Sequence, residues 1–143
     1  MNTKIIYATA AGAVFSFLAG WLIYGVLLMD FFSSFMSDGF RAMMKDPPEI
    51  WAIFLSNAAS SLMMAIIFGV YGNIKSFASG LMAGLVIGLL ISLSYDLMFY
   101  AMSTLYNSRR FYVFDVITGA LFSGLTGGVV AAVLGMGKKE TSN

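Results

Sequence analysis

The chain has 143 residues, of which 59% are hydrophobic and only 10% are charged, and its net charge is +1. Soluble domains carry about 25% charged residues, so this composition predicts a protein that is dissolved in lipid. The sequence contains no cysteine or histidine, which excludes disulfides, thiol nucleophiles, Ser-His pairs and the common zinc motifs. We see no pair of nucleophile and base and no bulk charge to attract nucleic acid. We therefore expect neither an enzyme nor a nucleic-acid-binding protein, and we expect no cofactor.

Four long apolar segments predict membrane-spanning helices, because a span needs about 20 mostly apolar residues. These helices are predicted, in chain order, at residues 4–30, 50–72, 77–105 and 111–136. The first segment is too long for the apolar core of a signal peptide, so we expect it to be retained. All four are too continuous for the strands of a β-barrel. They predict an all-α, integral membrane four-helix bundle in the lipid bilayer, forming a single domain over residues 1–143.

Four spans place both chain ends and the 73–76 turn on one membrane face (side A). The 31–49 loop and the 106–110 turn then lie on the other face (side B). Basic residues are equally numerous on the two faces, with Lys4, Lys75, Lys138 and Lys139 on side A and Arg41, Lys45, Arg109 and Arg110 on side B. The positive-inside rule therefore chooses no orientation. The lysines near the two chain ends favour a cytoplasmic side A.

The loop after the first span has the pattern of an amphipathic helix. Its apolar residues recur at helical spacing, at Phe32, Phe35, Met36, Phe40, Met43 and Met44. Polar residues occupy the opposite face, and Pro47-Pro48 ends any helix there. The pattern predicts a helix that lies in the side B interface. The alternative is a frayed extension of the first span, broken at Gly39.

Small residues recur at every fourth position in each span, and this spacing lets helices approach closely in lipid. We call these series ladders; they comprise Ala8, Gly12, Ser16 and Gly20; Ser61, Ala65 and Gly69; Gly80, Gly84, Gly88 and Ser92; and Gly119, Ser123, Gly127, Ala131 and Gly135. The first and third ladders align residue for residue, which suggests two duplicated helix pairs. Outward-facing ladders would offer surfaces for a homo-oligomer or for a membrane-protein partner.

Each ladder carries one polar residue at its side B end: Tyr24, Asn57, Asp96 or Asp115. At 1.5 Å per residue, Asp96 and Asn57 lie about 9 Å, and Asp115 about 6 Å, inside the membrane. Asp30 closes the first span at the same face. Together these five residues predict a ligand- or ion-binding site.

The interfacial helix would cover that site, with Phe35, Met36, Phe40 and Arg41 as its gating or lid residues. Carboxylate, amide and phenol oxygens suit a proton or a hard cation, and the pattern specifies no particular metal.

A simpler interpretation gives the polar residues structural roles. Asp30 and Asp115 lie near the interface, where placing a charge costs little free energy. Asp115 would cap the start of the fourth helix. Arg109 or Arg110 would pair with an acid, and the tyrosines would form an aromatic belt. We favour this interpretation for Asp30 and Asp115. Asp96 lies deeper, and for it a functional role and a structural hydrogen bond are equally supported.

Residues 17–27, FLAGWLIYGVL, resemble the first-helix signature of a family of small bacterial membrane proteins of unknown function. The matching residues are Phe17, Gly20, Trp21, Tyr24 and Gly25. The lysine and tryptophan that often follow in the family are replaced here by MDFF at 29–32. The resemblance implies a fold of four helices and a bacterial inner membrane location, and it implies no activity.

Two functions remain open at this point. The first is a small transporter or channel-like protein that binds a proton or cation at Asp96 with Asp115 and Asn57, and it predicts that Asp96 faces an accessible cavity. The second is a non-catalytic accessory subunit or assembly factor of a larger membrane complex, in which Asp96 pairs with a charge.

Overall fold

A computed structural model describes residues 3–136 of the chain, and every regular element in that range is helical. The helices are α1 (Thr3–Leu27), α2 (Met29–Ser33), α3 (Asp38–Met43), α4 (Ile50–Tyr71), α5 (Phe77–Met102) and α6 (Arg110–Gly135). The last turns of α1 and α4, Ile23–Leu27 and Ile67–Tyr71, are π-helical. Four helices, α1, α4, α5 and α6, are long and apolar enough to cross a membrane, as the sequence predicts.

Helix α6 lies at the centre of the arrangement. It packs against α1, α4 and α5, whereas α5 packs extensively against α6 alone within residues 3–136. Helices α1 and α4 form a second closely packed pair. The core lies where α1, α4 and α6 meet, around the fully buried Ala8, Phe68 and Val130. Helix α5 therefore presents most of its surface to the surroundings.

Helices α5 and α6 approach each other through their ladders. A β-carbon added at Gly84 would overlap the carbonyl oxygen of Ser123, and one at Gly80 would overlap the carbonyl oxygen of Gly127. The two backbones are thus in direct contact, which only glycine permits at these positions. The predicted close packing is confirmed for this pair.

The ladders of α1 and α4 also face inward. A β-carbon at Gly12 would lie 2.6 Å from Val130 Cγ2 and 2.8 Å from Ser61 Oγ, and Ala65 is fully buried. The expectation that the ladders present outward surfaces for an oligomer is therefore wrong. The outward surface consists instead of large apolar side chains such as Leu90.

Two of the predicted helix ends are wrong. The first span ends at Leu27 rather than at residue 30, because Leu28 leaves the helical conformation (φ −113°, ψ 6°) before α2 begins. Helix α5 ends at Met102 rather than at residue 105, because Ser103 is extended (φ −145°, ψ 161°).

The predicted single interfacial helix is also wrong, since the segment forms the two short helices α2 and α3. Ser37 separates them in an extended conformation (φ −70°, ψ 155°), and its hydroxyl accepts a hydrogen bond from the Phe40 N–H at 3.2 Å. Phe32 is buried, whereas Met43 and Met44 are exposed, so the apolar residues do not share one covered face. Gly39 lies inside α3, so it does not interrupt that helix. The anchoring lysines Lys138 and Lys139 lie outside the described residues.

Candidate functional site

Two carboxyl groups meet between α5 and α6 near the side B end. The side chains of Asp96 and Asp115 are close enough to share a hydrogen bond. Asp96 is 8% exposed, and its Oδ2 atom is buried without a hydrogen-bond partner in the described part of the chain. Carboxylate oxygens only accept hydrogen bonds, so the contact between them needs a proton or a cation.

The ladders explain why these two acids meet. Asp96 follows Gly88 and Ser92 at the same four-residue interval, on the face of α5 that packs against α6. Asp115 precedes Gly119 at the same interval on α6, and a β-carbon at Gly119 would overlap the Ser92 hydroxyl. One turn beyond this contact, each helix carries a carboxyl group where a small residue would continue the series. The acids therefore face each other across the same seam as the glycines.

Three tyrosines surround the carboxyl pair. Tyr24 on α1 and Tyr106 in the α5–α6 connection lie within electrostatic range of both acids, and Tyr112 on α6 lies within range of Asp96. Burial, together with the nearby acids, raises the pKa of Tyr106 to about 12. Its hydroxyl group therefore stays neutral at physiological pH and can donate a hydrogen bond.

Aromatic rings cluster near the carboxyl pair, toward its side B end. Tyr106 stacks on Phe111 with ring centroids 3.4 Å apart and planes 10° apart. Phe32 and Phe35 contact Phe111, and Phe40 contacts Tyr106, with centroid distances of 5.6, 6.4 and 5.4 Å. We call these five rings the aromatic roof. They combine residues from α2, α3, α6 and the two side B loops.

Backbone hydrogen bonds join those two loops. Met36 and Tyr106 form an isolated antiparallel bridge, and the Ser37 N–H donates to the Leu105 carbonyl at 2.9 Å. Asn107 adds a side-chain hydrogen bond to the Met36 carbonyl at 3.2 Å. The connection between α2 and α3 is thus attached to the connection between α5 and α6.

The predicted lid residues lie at this junction, with one exception. Phe35 and Phe40 belong to the aromatic roof, and Met36 belongs to the bridge. Arg41 is exposed, and its guanidinium donates to the Ser33 carbonyl in its own loop. Arg41 therefore links α3 to α2.

A groove of about 470 Å³ opens beside Asp96, between α5 and α6. Its walls are apolar side chains of the two helices: Leu93, Leu97, Val113, Val116 and Ile117. Tyr100, Tyr112 and Arg109 line its side B end. Val113 is 61% exposed, so the groove opens sideways, toward the surroundings of the helices.

Arg109 contacts an aromatic ring rather than an acid. Its guanidinium carbon lies 5.6 Å from the centre of the Tyr100 ring, which is a cation–π distance. The expected ion pair between Arg109 or Arg110 and an acid is wrong, since the single salt bridge within residues 3–136 joins Lys45 and Glu49 at 3.3 Å. Both of its members are exposed, so that pair adds little stability.

Two of the predicted site residues lie elsewhere. The Asn57 amide donates to the Ile53 carbonyl of its own helix at 2.9 Å, and Asn57 lines a separate cavity of about 460 Å³ between α1 and α4. Asp30 is exposed on α2 and does not line the groove. The structure therefore brings Asp96, Asp115 and Tyr24 together and keeps Asn57 and Asp30 away from the carboxyl pair, although Tyr24 also lines the cavity that contains Asn57.

The capping role considered for Asp115 is wrong. Helix α6 begins at Arg110, whose N–H donates to the Ser108 hydroxyl at 3.3 Å. Asp115 lies more than one turn further along the helix, where it faces Asp96.

Sequence reasoning missed Tyr106 and the contact of Arg109 with Tyr100. The clustering of Tyr106, Phe111 and Tyr112 around one helix start was an available signal. The pairing of two loops that are far apart in sequence has no local signal.

Residues 3–136 contain no cluster of three or more acids, histidines or cysteines that could hold a metal ion. The chemistry of the site is therefore that of two facing carboxyl groups with phenol hydroxyls nearby.

No protein-family model, curated protein or solved structure matches this chain. The resemblance of the first helix to a family of small bacterial membrane proteins thus stays a prediction.

Proposed function

We propose that this protein is a small transporter or channel-like membrane bundle that binds a proton or a small cation between Asp96 and Asp115. One observation carries the proposal. The buried Oδ2 atom of Asp96 has no donor among residues 3–136, and the carboxyl group of Asp115 lies within hydrogen-bond range of Asp96. A shared proton would satisfy both groups, as it does in other close carboxyl pairs. A small cation held by carboxylate oxygens would do the same.

Location in a membrane is part of this proposal. Large apolar side chains are exposed along the long helices, including Leu18, Leu90 and Leu121 at 56%, 60% and 57%. Monomeric soluble proteins rarely expose contiguous apolar surface on this scale. Lipid would cover this surface without any further partner. Lys4 and the resemblance of the first helix support a bacterial inner membrane with cytoplasmic chain ends.

Cysteine labelling tests this topology, because the chain has no native cysteine. We expect Tyr71→Cys on side A and Thr104→Cys on side B to react from opposite faces of the membrane. On intact cells, a membrane-impermeant maleimide should label Thr104→Cys alone, and permeabilised cells should show labelling of both. Labelling of both variants on intact cells would contradict four spans. Labelling of Tyr71→Cys alone would keep four spans and reverse the orientation.

We also propose that α1–α4 and α5–α6 are duplicated pairs. The aligned ladders of α1 and α5, and the packing of each pair on itself, support this proposal. Tyr24 aligns with Asp96, so only the second pair would carry the carboxyl site.

The aromatic roof gives the proposed site a gate. Tyr106 and Phe111 stack on each other near the carboxyl pair at the start of α6, and Tyr106 is held by the bridge to Met36. Separation of the two side B loops would open a path from water to Asp115. Gating by such loops is a common way to control access to a buried site.

A second candidate function is supported by the one-sided packing of α5. A non-catalytic accessory subunit or assembly factor would bury the exposed face of α5 against a larger membrane protein. A basic residue of that partner would then pair with the carboxyl group of Asp96.

Thermal unfolding in detergent tests the binding function. A ligand that binds only the folded state raises the unfolding midpoint as its concentration rises. We expect the midpoint of the wild type to respond to pH or to one of Li⁺, Na⁺, K⁺ and Ca²⁺. Asp96→Asn should lose this response.

Asp38→Asn is the matched control, because Asp38 is an exposed acid on α3, outside the carboxyl pair. It should respond as the wild type does. Equal responses in the wild type and in Asp96→Asn would contradict the proposal. If the wild type does not respond and co-purifies with a larger membrane protein, the accessory function replaces it.

A further inference from the structure

We propose that the groove between α5 and α6 binds a lipophilic organic cation, which exchanges with the proton held by the carboxyl pair. This inference rests on the proposed function, because it names the ligand class of the same site.

The shape of the groove fits the apolar body of such a ligand. Its volume of about 470 Å³ lies within the range of small-molecule sites, roughly 300–1,000 Å³. Leu97 and Val113 on its walls are 59% and 61% exposed, so the groove opens on the outer surface of the helices, which would face lipid in the proposed membrane. A ligand that enters this way must itself dissolve in the membrane.

Two features of the groove favour a positive charge on the ligand. Asp96 is an acid on its wall and is more than nine-tenths buried, and one of its oxygens receives no hydrogen bond from any described residue. The Tyr100 ring at the side B end already holds one cation, the guanidinium of Arg109, at 5.6 Å. Aromatic faces bind organic cations in the same way. A ligand cation would therefore find a carboxylate and an aromatic face in one apolar groove.

Proton and ligand would compete for the same negative charge. The titratable groups that face Asp96 come from every neighbouring element: Tyr24 on α1, Tyr100 on α5, Tyr112 and Asp115 on α6, and Tyr106 and Arg109 in the connection between them. Near neutral pH only Asp115 and Arg109 bear on the exchange, since free tyrosine titrates near pH 10. Binding should therefore strengthen as pH rises. Arg109 should oppose it, because its charge has the same sign as the ligand.

Equilibrium dialysis of tetraphenylphosphonium against the purified full-length protein in detergent tests this inference, with protein-free micelles as the blank. We expect saturable binding that is several-fold tighter at pH 8 than at pH 6. Asp96→Asn should abolish it. Val113→Trp, which fills the groove from its exposed wall, should weaken it at least tenfold, whereas Leu121→Trp, on an exposed part of α6 outside the groove, should not. Arg109→Gln should tighten it several-fold.

Several results would overturn the inference. These are a wild type without saturable binding, equal binding by Val113→Trp and Leu121→Trp, or weaker binding by Arg109→Gln. The last result would show that Arg109 supports the groove through its contact with Tyr100 and does not repel the ligand. If the unfolding midpoint still depends on pH through Asp96 while the cation does not bind, only this inference fails. If the midpoint does not respond either, the proposed function fails with it.

Discussion

The two ends of the α5–α6 pair share the same four-residue interval, but they differ in the residues that this interval brings together. Toward side A, Gly80 and Gly84 let the two backbones touch. Toward side B, the same interval brings Asp96 and Asp115 together, and a groove opens beside them. The spacing of a ladder therefore fixes which residues meet. The size and charge of those residues decide whether the meeting point is a tight contact or a polar site.

The energetics of helix packing explain why one helix pair can combine a tight glycine contact at one end with a carboxyl pair at the other. In lipid, helices associate through van der Waals packing and hydrogen bonds, because the lipid tails are as apolar as the helices. The glycine end supplies close packing along several turns. In the proposed membrane, that packing would offset the cost of placing two carboxyl groups between helices at the other end, and the proposed shared proton would reduce this cost.

The largest effect is expected from a substitution at the tight end. In Gly84→Leu, the new side chain would overlap the Ser123 carbonyl oxygen and force α5 and α6 apart. We expect a loss of about 3 kcal/mol or more in the free energy of unfolding, at the upper end for overpacked sites. Unfolding in mixed detergent micelles measures this loss.

Gly39→Ala is the control for that experiment, because a β-carbon at Gly39 meets nothing within 4 Å. It should change the free energy of unfolding by at most about 1 kcal/mol. Equal stability of the wild type and Gly84→Leu would show that the two helices do not touch at this end.

A smaller loss is expected at the polar end from Phe111→Ala. Phe111 is 5% exposed and stacks on Tyr106, so its removal should cost about 3 kcal/mol, at the lower end for a buried phenylalanine. Phe114→Ala is the matched variant, since Phe114 is 43% exposed and should cost less than half as much. Chemical denaturation of both variants in the same detergent measures and compares their losses in the free energy of unfolding. Equal losses would mean that the aromatic roof does not stabilise this end.

The smallest effect is expected from Tyr106→Phe and concerns alkaline pH. The pKa of Tyr106 is raised to about 12 in the folded protein, against about 10 in the unfolded chain. The unfolded chain therefore loses this proton first, and the corresponding stability is present below pH 10 and is lost as pH rises toward 12. Tyr106→Phe should flatten part of the fall in the unfolding midpoint over that interval, and Tyr7→Phe, at an exposed tyrosine, should not. Identical alkaline profiles for the wild type and Tyr106→Phe would mean that Tyr106 does not face the acids.

The sequence predicts those parts of the molecule that depend on local periodicity. The four spans follow from apolar length, and the contact of Gly84 with α6 follows from the interval of the ladders. Helix ends were less predictable, because Ser103 becomes extended where the chain turns to pair with another loop. The pattern of apolar residues alone did not reveal that pairing.

The candidate site was only partly predictable for a related reason. The sequence places Asp96 and Asp115 at similar heights in the predicted bundle, and the structure brings their side chains together. Asn57 has a similar depth, but it lies on α4, which does not pack extensively against α5. Depth follows from sequence, whereas the choice of neighbouring helices depends on packing across the whole bundle.

The proposal that Asp96 and Asp115 share a proton is tested most directly by infrared spectroscopy of the purified protein at neutral pH in a buffer poor in metal cations. Other acids in the described range, such as Asp38 and Glu49, are exposed and lie outside the carboxyl pair, so the double variant described next assigns the signal of the pair. The wild type should show the carbonyl stretch of a protonated carboxylic acid, and the double variant Asp96→Asn, Asp115→Asn should lack it. A wild type without this band would contradict a shared proton between the two helices.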